Sequence, residues 1–184
     1  GSKIGAHAVV LATGVSYRSL DAPGVAELTG RGVFYGSAST EAAACTGQDV
    51  YIVGGANSAG QAAVYLAQHA KTVTILCRGS SLERSMSYYL IEQIRATGNI
   101  SARICTEVIA GEGDDHLESL TLRDTSTGAT ETVDAQWLFL FIGAAPLTDW
   151  LDGVVVRDTR GFVLAGPDLA SCGRRPSGLE GIFL

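Results

Sequence analysis

The stretch Val53-Gly54-Gly55-Ala56-Asn57-Ser58-Ala59-Gly60 does most to limit what this chain can fold into. A short apolar run, Val50-Tyr51-Ile52-Val53, stands ahead of it and reads as a strand. Behind it, Ser58 to Ala70 is alanine-rich and of helical period, and Thr72-Val73-Thr74-Ile75-Leu76 is a second strand rich in β-branched residues. Strand, glycine turn, helix and strand within roughly 30 residues make a βαβ unit. Such a unit requires a parallel sheet and a right-handed crossover.

A turn of this kind aims the unpaired N–H groups of a helix start at an anion, and a pyrophosphate is the usual one. In the pattern G-x-G-x-x-G, Gly54 takes the tight turn, Ala56 the middle position and Ala59 the last. Alanine is accepted at the last position, whereas at the middle one its methyl group stands where a bare backbone lets the pyrophosphate approach. The fingerprint is therefore degraded but its context is complete, and a plain strand–turn–helix is the competing reading. Gly54, Gly55, Ala56, Asn57, Ser58 and Ala59 are the expected contacts, with the backbone N–H groups of Gly55 to Ala59 on the pyrophosphate. The tip of the second strand reads Leu76-Cys77-Arg78-Gly79, with no acid to accept hydrogen bonds from an NAD ribose. Arg78 suits the 2′-phosphate of NADP, and Arg84 is a second candidate clamp, so NADPH is favoured over NADH. Glu83 beside Arg84 leaves a plain surface ion pair as the alternative.

Elsewhere, His7 to Gly14 reads as a buried strand ending in a glycine turn, and Thr40 to Cys45 as a short helix. Ser85 to Ala96 reads as a second helix, ended by Gly98-Asn99, with a strand near Ser101 to Cys105. His116 to Leu122 and Glu131 to Val133 alternate around Thr127-Gly128, as in an antiparallel hairpin or meander. Trp137 to Ile142 is apolar throughout and returns to the buried sheet, and the chain after Pro146 is loop-rich.

At 184 residues the chain suffices for one domain with a sizeable core, or one domain plus pieces of a neighbour. A net charge of −6 without a basic stripe argues against nucleic acid or an anionic membrane as partner. The longest apolar runs fall well short of the roughly 20 residues that a spanning helix needs. Cys45, Cys77, Cys105 and Cys172 form no C-x-x-C pair, which fits free thiols in a reducing, cytoplasmic setting. His7, His69 and His116 have neither ligand spacing nor a triad order, so no metal and no catalytic side chain is expected. The opening Gly1-Ser2 reads as the scar of a removed tag, so the chain is expected to be part of a larger protein.

With VGGANSAGQAA and Cys77-Arg78-Gly79 in hand, the chain resembles the low-molecular-weight thioredoxin reductase family over nearly its whole length. VVLATG, FLFIGAAPLTDWL and GFVLAGPDL resemble the segments that join that family's two domains. The nearest likeness is to a subgroup with GNSAGQAA, then Arg78-Gly79, Leu82, Ser85-Met86-Ser87 and Tyr89-Leu90. The resemblance implies a Rossmann-like α/β fold, a parallel sheet with helices on one face and an antiparallel β-meander on the other. It divides the chain into residues 1–30 as a remnant of an FAD domain with a hinge strand, 31–147 as the NAD(P)H-binding domain, and 148–184 as a return segment. It also implies that Gly143 and Ala144 line the nicotinamide side and that Thr13 contacts a flavin.

Two departures matter. The family's Cys-x-x-Cys dithiol lies in the loop before the cradle strand, where Gly36 and Ser39 stand here, and neither can form a thiolate. The family's N-terminal glycine-rich FAD unit and its C-terminal Gly-Asp motif are not found, so FAD is expected in the intact protein and not in this piece. The expected task is to hold NADPH for hydride transfer to FAD, with an unknown acceptor such as a ferredoxin, a quinone or oxygen. An NADPH-sensing regulatory module with little turnover is the alternative, and homodimerisation of the parent is left open.

Overall fold

The computed structural model describes residues 5–36 and 40–171. They fall into two units: the larger runs Ser19–Ile142, and the smaller is drawn from the flanking segments on either side of it. In the larger unit five strands form a parallel sheet: β2 (Val33–Tyr35), β3 (Asp49–Val53), β4 (Thr72–Leu76), β5 (Ile100–Arg103) and β9 (Trp137–Leu140). Their order is β2-β9-β3-β4-β5.

Alternation along these strands feeds two cores. Val50, Ile52, Val73, Ile75 and Phe139 point to one face, where α1 (Asn57–Leu66) and α2 (Tyr88–Ala96) cover them. Val33, Val53, Leu76, Leu138 and Leu140 point to the other, against Leu120 and Leu122 of a three-stranded antiparallel sheet. That sheet comprises β6 (Thr106–Glu112), β7 (Ser119–Asp124) and β8 (Thr130–Asp134). Each large side chain so buried contributes about 1.5–3 kcal/mol relative to exposure. This is the expected α/β class, helices on one face and meander on the other.

Helix α1 lies close to its neighbours because its buried face is built from small residues, Ala59, Gly60, Ala62 and Ala63. A Cβ added at Gly60 would stand 2.9 Å from the Met86 Sδ, so this glycine serves the approach of α2. The helix stops at Leu66, short of the expected Ala70. There the Asn99 side-chain amide donates to the carbonyls of Ala67 and Ala70, satisfying the helix end from the loop before β5. Helix α2 starts at Tyr88 rather than Ser85, because Ser85 and Ser87 are committed elsewhere, as described below.

Other expectations fail for identifiable reasons. His7 to Gly14 forms no strand and is not buried: Val9 and Val10 are 75% and 88% exposed, and no described strand pairs with them. Thr40 to Cys45 is a series of turns. The Glu41 carbonyl accepts from both Ala44 and Cys45, and the chain must reach β3 before a helix can propagate. The edge strand β2 and β6 went unforeseen, the latter because a bulge between Val108 and Ala110 breaks its period of two. Strand β5 ends at Arg103, two residues early, since Cys105 adopts φ 50° in the turn to β6.

In the smaller unit β1 (Val15–Tyr17) pairs antiparallel with β10 (Ala144–Pro146). Arg157 bridges Asp149 and Asp152 at 3.0 and 2.9 Å, and α3 spans Gly166–Ser171. Among the described residues no helix is long and apolar enough to cross a membrane.

Candidate functional site

Val53 pairs with Leu76 across the parallel ladder, so the turn after β3 and the tip after β4 emerge side by side at the carboxyl edge of the sheet. From β3 the chain runs outward through β4 and β5, and later returns through β9 on the other side of β3. Open α/β sheets bind ligands at such a reversal, outside the carboxyl ends of the strands. The Gly54–Ala59 turn occupies that place.

Each residue of the turn has its own constraint. Gly54 has φ +151°, and a Cβ there would lie 2.7 Å from the Phe141 carbonyl oxygen and 3.0 Å from the Ala59 methyl. Its amide donates to the Leu76 carbonyl at 3.1 Å, which ties the turn to β4. A Cβ on Gly55 would meet the Cys77 Sγ at 2.6 Å. Ala56 lies at φ −108° and ψ −178°, extended backbone open to any residue. The alanine at the middle position therefore imposes no backbone strain. Its methyl group is exposed at the surface of the turn and bears only on how closely a ligand can approach.

The start of α1 is suited to an anion. Its first intrahelical bond runs from the Gly60 amide to the Ala56 carbonyl at 3.2 Å, so the amides of Asn57, Ser58 and Ala59 precede the ladder. No side chain caps this end and no acidic residue lies in its first turn, which leaves the positive end of the helix dipole uncompensated.

Arg78 lies two residues past the end of β4. Its backbone is pinned on both sides: the Cys77 amide donates to Arg103, Thr106 donates to Cys77, and Cys105 donates to Gly79, at 2.9, 3.0 and 2.9 Å. Arg78 and Arg84 are both exposed, and neither guanidinium is bonded to another described residue. Glu83 is engaged away from them. Its carboxylate takes the Ser81 hydroxyl at 2.5 Å and Arg95 at 3.0 Å, and the Ser81 bond first, then the Glu83 amide, hold it below the usual carboxylate range. The surface pair foreseen for Arg84 thus forms with Arg95. A cleft of about 320 Å³ between α2 and β5 is lined by Leu82, Ile91, Ile94 and Ile100, and holds none of the cradle groups.

The Asn57 side chain has a structural duty: its Oδ1 accepts from the Ser87 amide at 2.7 Å. Ser58 is exposed. Gly143, Ala144 and Thr13 belong to the smaller unit. Ala144 lies in β10 opposite Tyr17, and the Gly143 carbonyl accepts from the Arg18 amide at 3.1 Å. Thr13 is half-buried.

Residues 1–173 match the model of the pyridine nucleotide-disulphide oxidoreductases. The chain belongs to that family. This family member is 35% identical over 163 residues to the thioredoxin reductase of Mycolicibacterium smegmatis, covering 86% of the chain and 50% of the relative. It is 31% identical over 163 residues to one component of the alkyl hydroperoxide reductase of Staphylococcus epidermidis, covering 89% of the chain and 32% of the relative. The solved thioredoxin reductase of Streptococcus pyogenes superposes with a TM-score of 0.75 at 28% identity, over 84% of the chain and 50% of that structure. The resemblance to thioredoxin reductases is thereby confirmed, and the chain spans about half the length of the thioredoxin reductases it matches.

Against that family background the thiols are informative. Gly36, the residue that the resemblance sets at the first dithiol position, has φ +77°, and Ser39 lies outside the described residues, as does Cys172. Cys45 is fully buried, and burial first, with the Glu41 carboxylate second, pushes its thiol up to about 12. A thiol that stays protonated is a poor nucleophile. Iodoacetamide at about pH 8 is accordingly expected to spare Cys45 in the folded protein and to label it in urea. Peptide mapping by mass spectrometry reads this directly, and rapid labelling of the native protein at Cys45 would contradict it.

What supports the cradle was not foreseen from the sequence. Ser85, Met86 and Ser87 entered as a helix start and as part of the resemblance, yet Ser85 Oγ donates to the Gly55 carbonyl at 2.8 Å and the Ser87 amide holds Asn57. Two serines flanking a methionine just ahead of a helix were the available signal, and nothing local ties them to a turn 30 residues earlier.

Proposed function

We propose that this chain binds NADPH at the β3–α1 turn. In the intact protein it would position the nicotinamide for hydride transfer to FAD, with electrons passing on to an acceptor other than a Cys-x-x-Cys dithiol. The observation that carries the reading is the pairing of an uncapped, acid-free helix start with an exposed arginine, Arg78, at the neighbouring strand tip and a second, Arg84, in the loop before α2. Amides of Asn57 to Ala59 would hold the pyrophosphate, and Arg78 with Arg84 the 2′-phosphate, through charge-assisted bonds. The bound nucleotide would supply the hydride, and the protein supplies binding and orientation. Family membership implies a pyridine nucleotide and a flavin in the intact protein. The absence of a Cys-x-x-Cys pair from the sequence, with a buried and protonated Cys45, supports a different acceptor. Four cysteines without such a pair also support a reducing, cytoplasmic setting.

Calorimetric titration of the chain with NADPH and with NADH tests this. The expected result is NADPH binding at least about tenfold tighter, a difference of about 1.4 kcal/mol. Equal affinities would overturn the NADP assignment, and no heat with either would overturn binding at this turn.

A further inference from the structure

Three consecutive residues of the loop before α2 each hold a different part of the cradle. Ser85 Oγ donates to the Gly55 carbonyl in the turn itself, at 2.8 Å. Ser87 donates its amide to Asn57 Oδ1 at the first residue of α1, at 2.7 Å. Between them the buried Met86 sits against Gly60, one helical turn further on. The loop is also tight within itself, since the Ser85 and Met86 amides both donate to the Leu82 carbonyl, at 3.2 and 2.9 Å. Residues 82 to 87 are thereby tied to the cradle at three places.

Arg84 lies inside that tight loop, one residue before Ser85. It is exposed, its guanidinium is bonded to no other described residue, and its neighbour Glu83 is held off by Ser81 and Arg95. A cation fixed by its backbone to the turn that holds a pyrophosphate can discriminate a further phosphate on the same ligand. Its discrimination depends on that backbone staying in place, because a long flexible side chain alone loses too much entropy on ordering.

We infer that Ser85 and Asn57 are positioning residues for nucleotide selectivity: they latch the Arg84 loop to the cradle, so that the enzyme tells a 2′-phosphorylated dinucleotide from its unphosphorylated counterpart. The inference rests on the proposed NADPH site and adds to it the residues that set its selectivity. Neither side chain need touch the nucleotide's 2′-phosphate.

The test is calorimetric titration with NADPH and NADH of the parent chain, Ser85→Ala, Ser85→Thr, Asn57→Ala, Arg84→Ala, and Ser85→Ala and Asn57→Ala each combined with Arg84→Ala. In the single variants the NADPH/NADH affinity ratio is expected to fall roughly three- to tenfold, mainly through weaker NADPH binding. In the Arg84→Ala background the same changes should leave the ratio where Arg84→Ala alone has put it. Ser85→Thr, which keeps the hydroxyl, should restore the ratio. A ratio unchanged in both single variants, or lowered by the same factor with and without Arg84, overturns the latch. So does an equal loss for both nucleotides, which is what mere loosening of the cradle gives. Should Ser85→Ala fail to fold, Asn57→Ala decides alone. If the parent chain binds NADPH no better than NADH, the NADPH reading itself fails and the latch with it, and that outcome is read before any variant is made.

Discussion

Gly54→Ala is expected to destabilise the chain by about 2–6 kcal/mol and to abolish nucleotide binding. Two independent effects sum here. A side chain at φ +151° is strained, at about 1–3 kcal/mol. The added Cβ would also sit 2.7 Å from the Phe141 carbonyl oxygen, and that overlap costs about 1–3 kcal/mol more. Relief is blocked from both sides. The Phe141 amide is bonded to the Val53 carbonyl at 2.8 Å, and the Ala59 methyl presses from the helix at 3.0 Å. Any shift of the turn must therefore strip α1 from the strand end, and with it the amides offered to an anion.

Gly55→Ala is the informative control. Gly55 has no positive φ, and its sole close neighbour is the Cys77 Sγ at 2.6 Å, the end of a short side chain. It should be mild, and pairing it with Cys77→Ala should return stability to the parent level. Urea unfolding followed by circular dichroism, with NADPH titration of each variant, checks both statements. Gly54→Ala melting within about 0.5 kcal/mol of the parent would show that the turn is far softer than the packing around it indicates.

The larger unit was legible where local chemistry and burial agree. The βαβ unit from Asp49 to Leu76 could be read because β-branched strands, a glycine pair and an alanine-rich helix follow in the one order that a parallel crossover allows. The meander was visible in the alternation around Thr127-Gly128, though β6 was hidden by its bulge. The first segment misled because Val9, Val10 and Leu11 carry the pattern of a buried strand while no described element covers them. At the candidate site, the places of Gly54 in the turn before α1 and of Arg78 past the end of β4 were readable from motif and position. The serine latch was not, since its partners are 30 residues apart and a hydroxyl on a backbone carbonyl leaves no periodic trace. The fate of Glu83 was likewise undecidable from sequence, because Arg84 is its neighbour whereas Arg95 is its partner.

Arg78→Ala is expected to weaken NADPH binding by roughly 10- to 100-fold, the 1.5–3 kcal/mol of hydrogen bonds to a charged group, while NADH binding stays the same. The substitution should be silent in stability, within about 0.5 kcal/mol. The side chain is exposed, and the backbone around it is held by three bonds that do not involve it. Any change in affinity is thereby attributable to the lost guanidinium. Arg78→Lys should recover only part of the loss, because an ammonium offers a point charge where the guanidinium offers a planar fork. Raising the salt concentration should narrow the NADPH/NADH gap in the parent more than in Arg78→Ala, since an exposed charge pair is screened. Titration calorimetry of the three proteins at two ionic strengths measures all of this. An equal loss for NADPH and NADH would move Arg78 from the 2′-phosphate to the pyrophosphate, which both nucleotides share. No loss for either would leave Arg84 as the sole cation of the site, and the Ser85–Asn57 latch would then govern the whole of its selectivity.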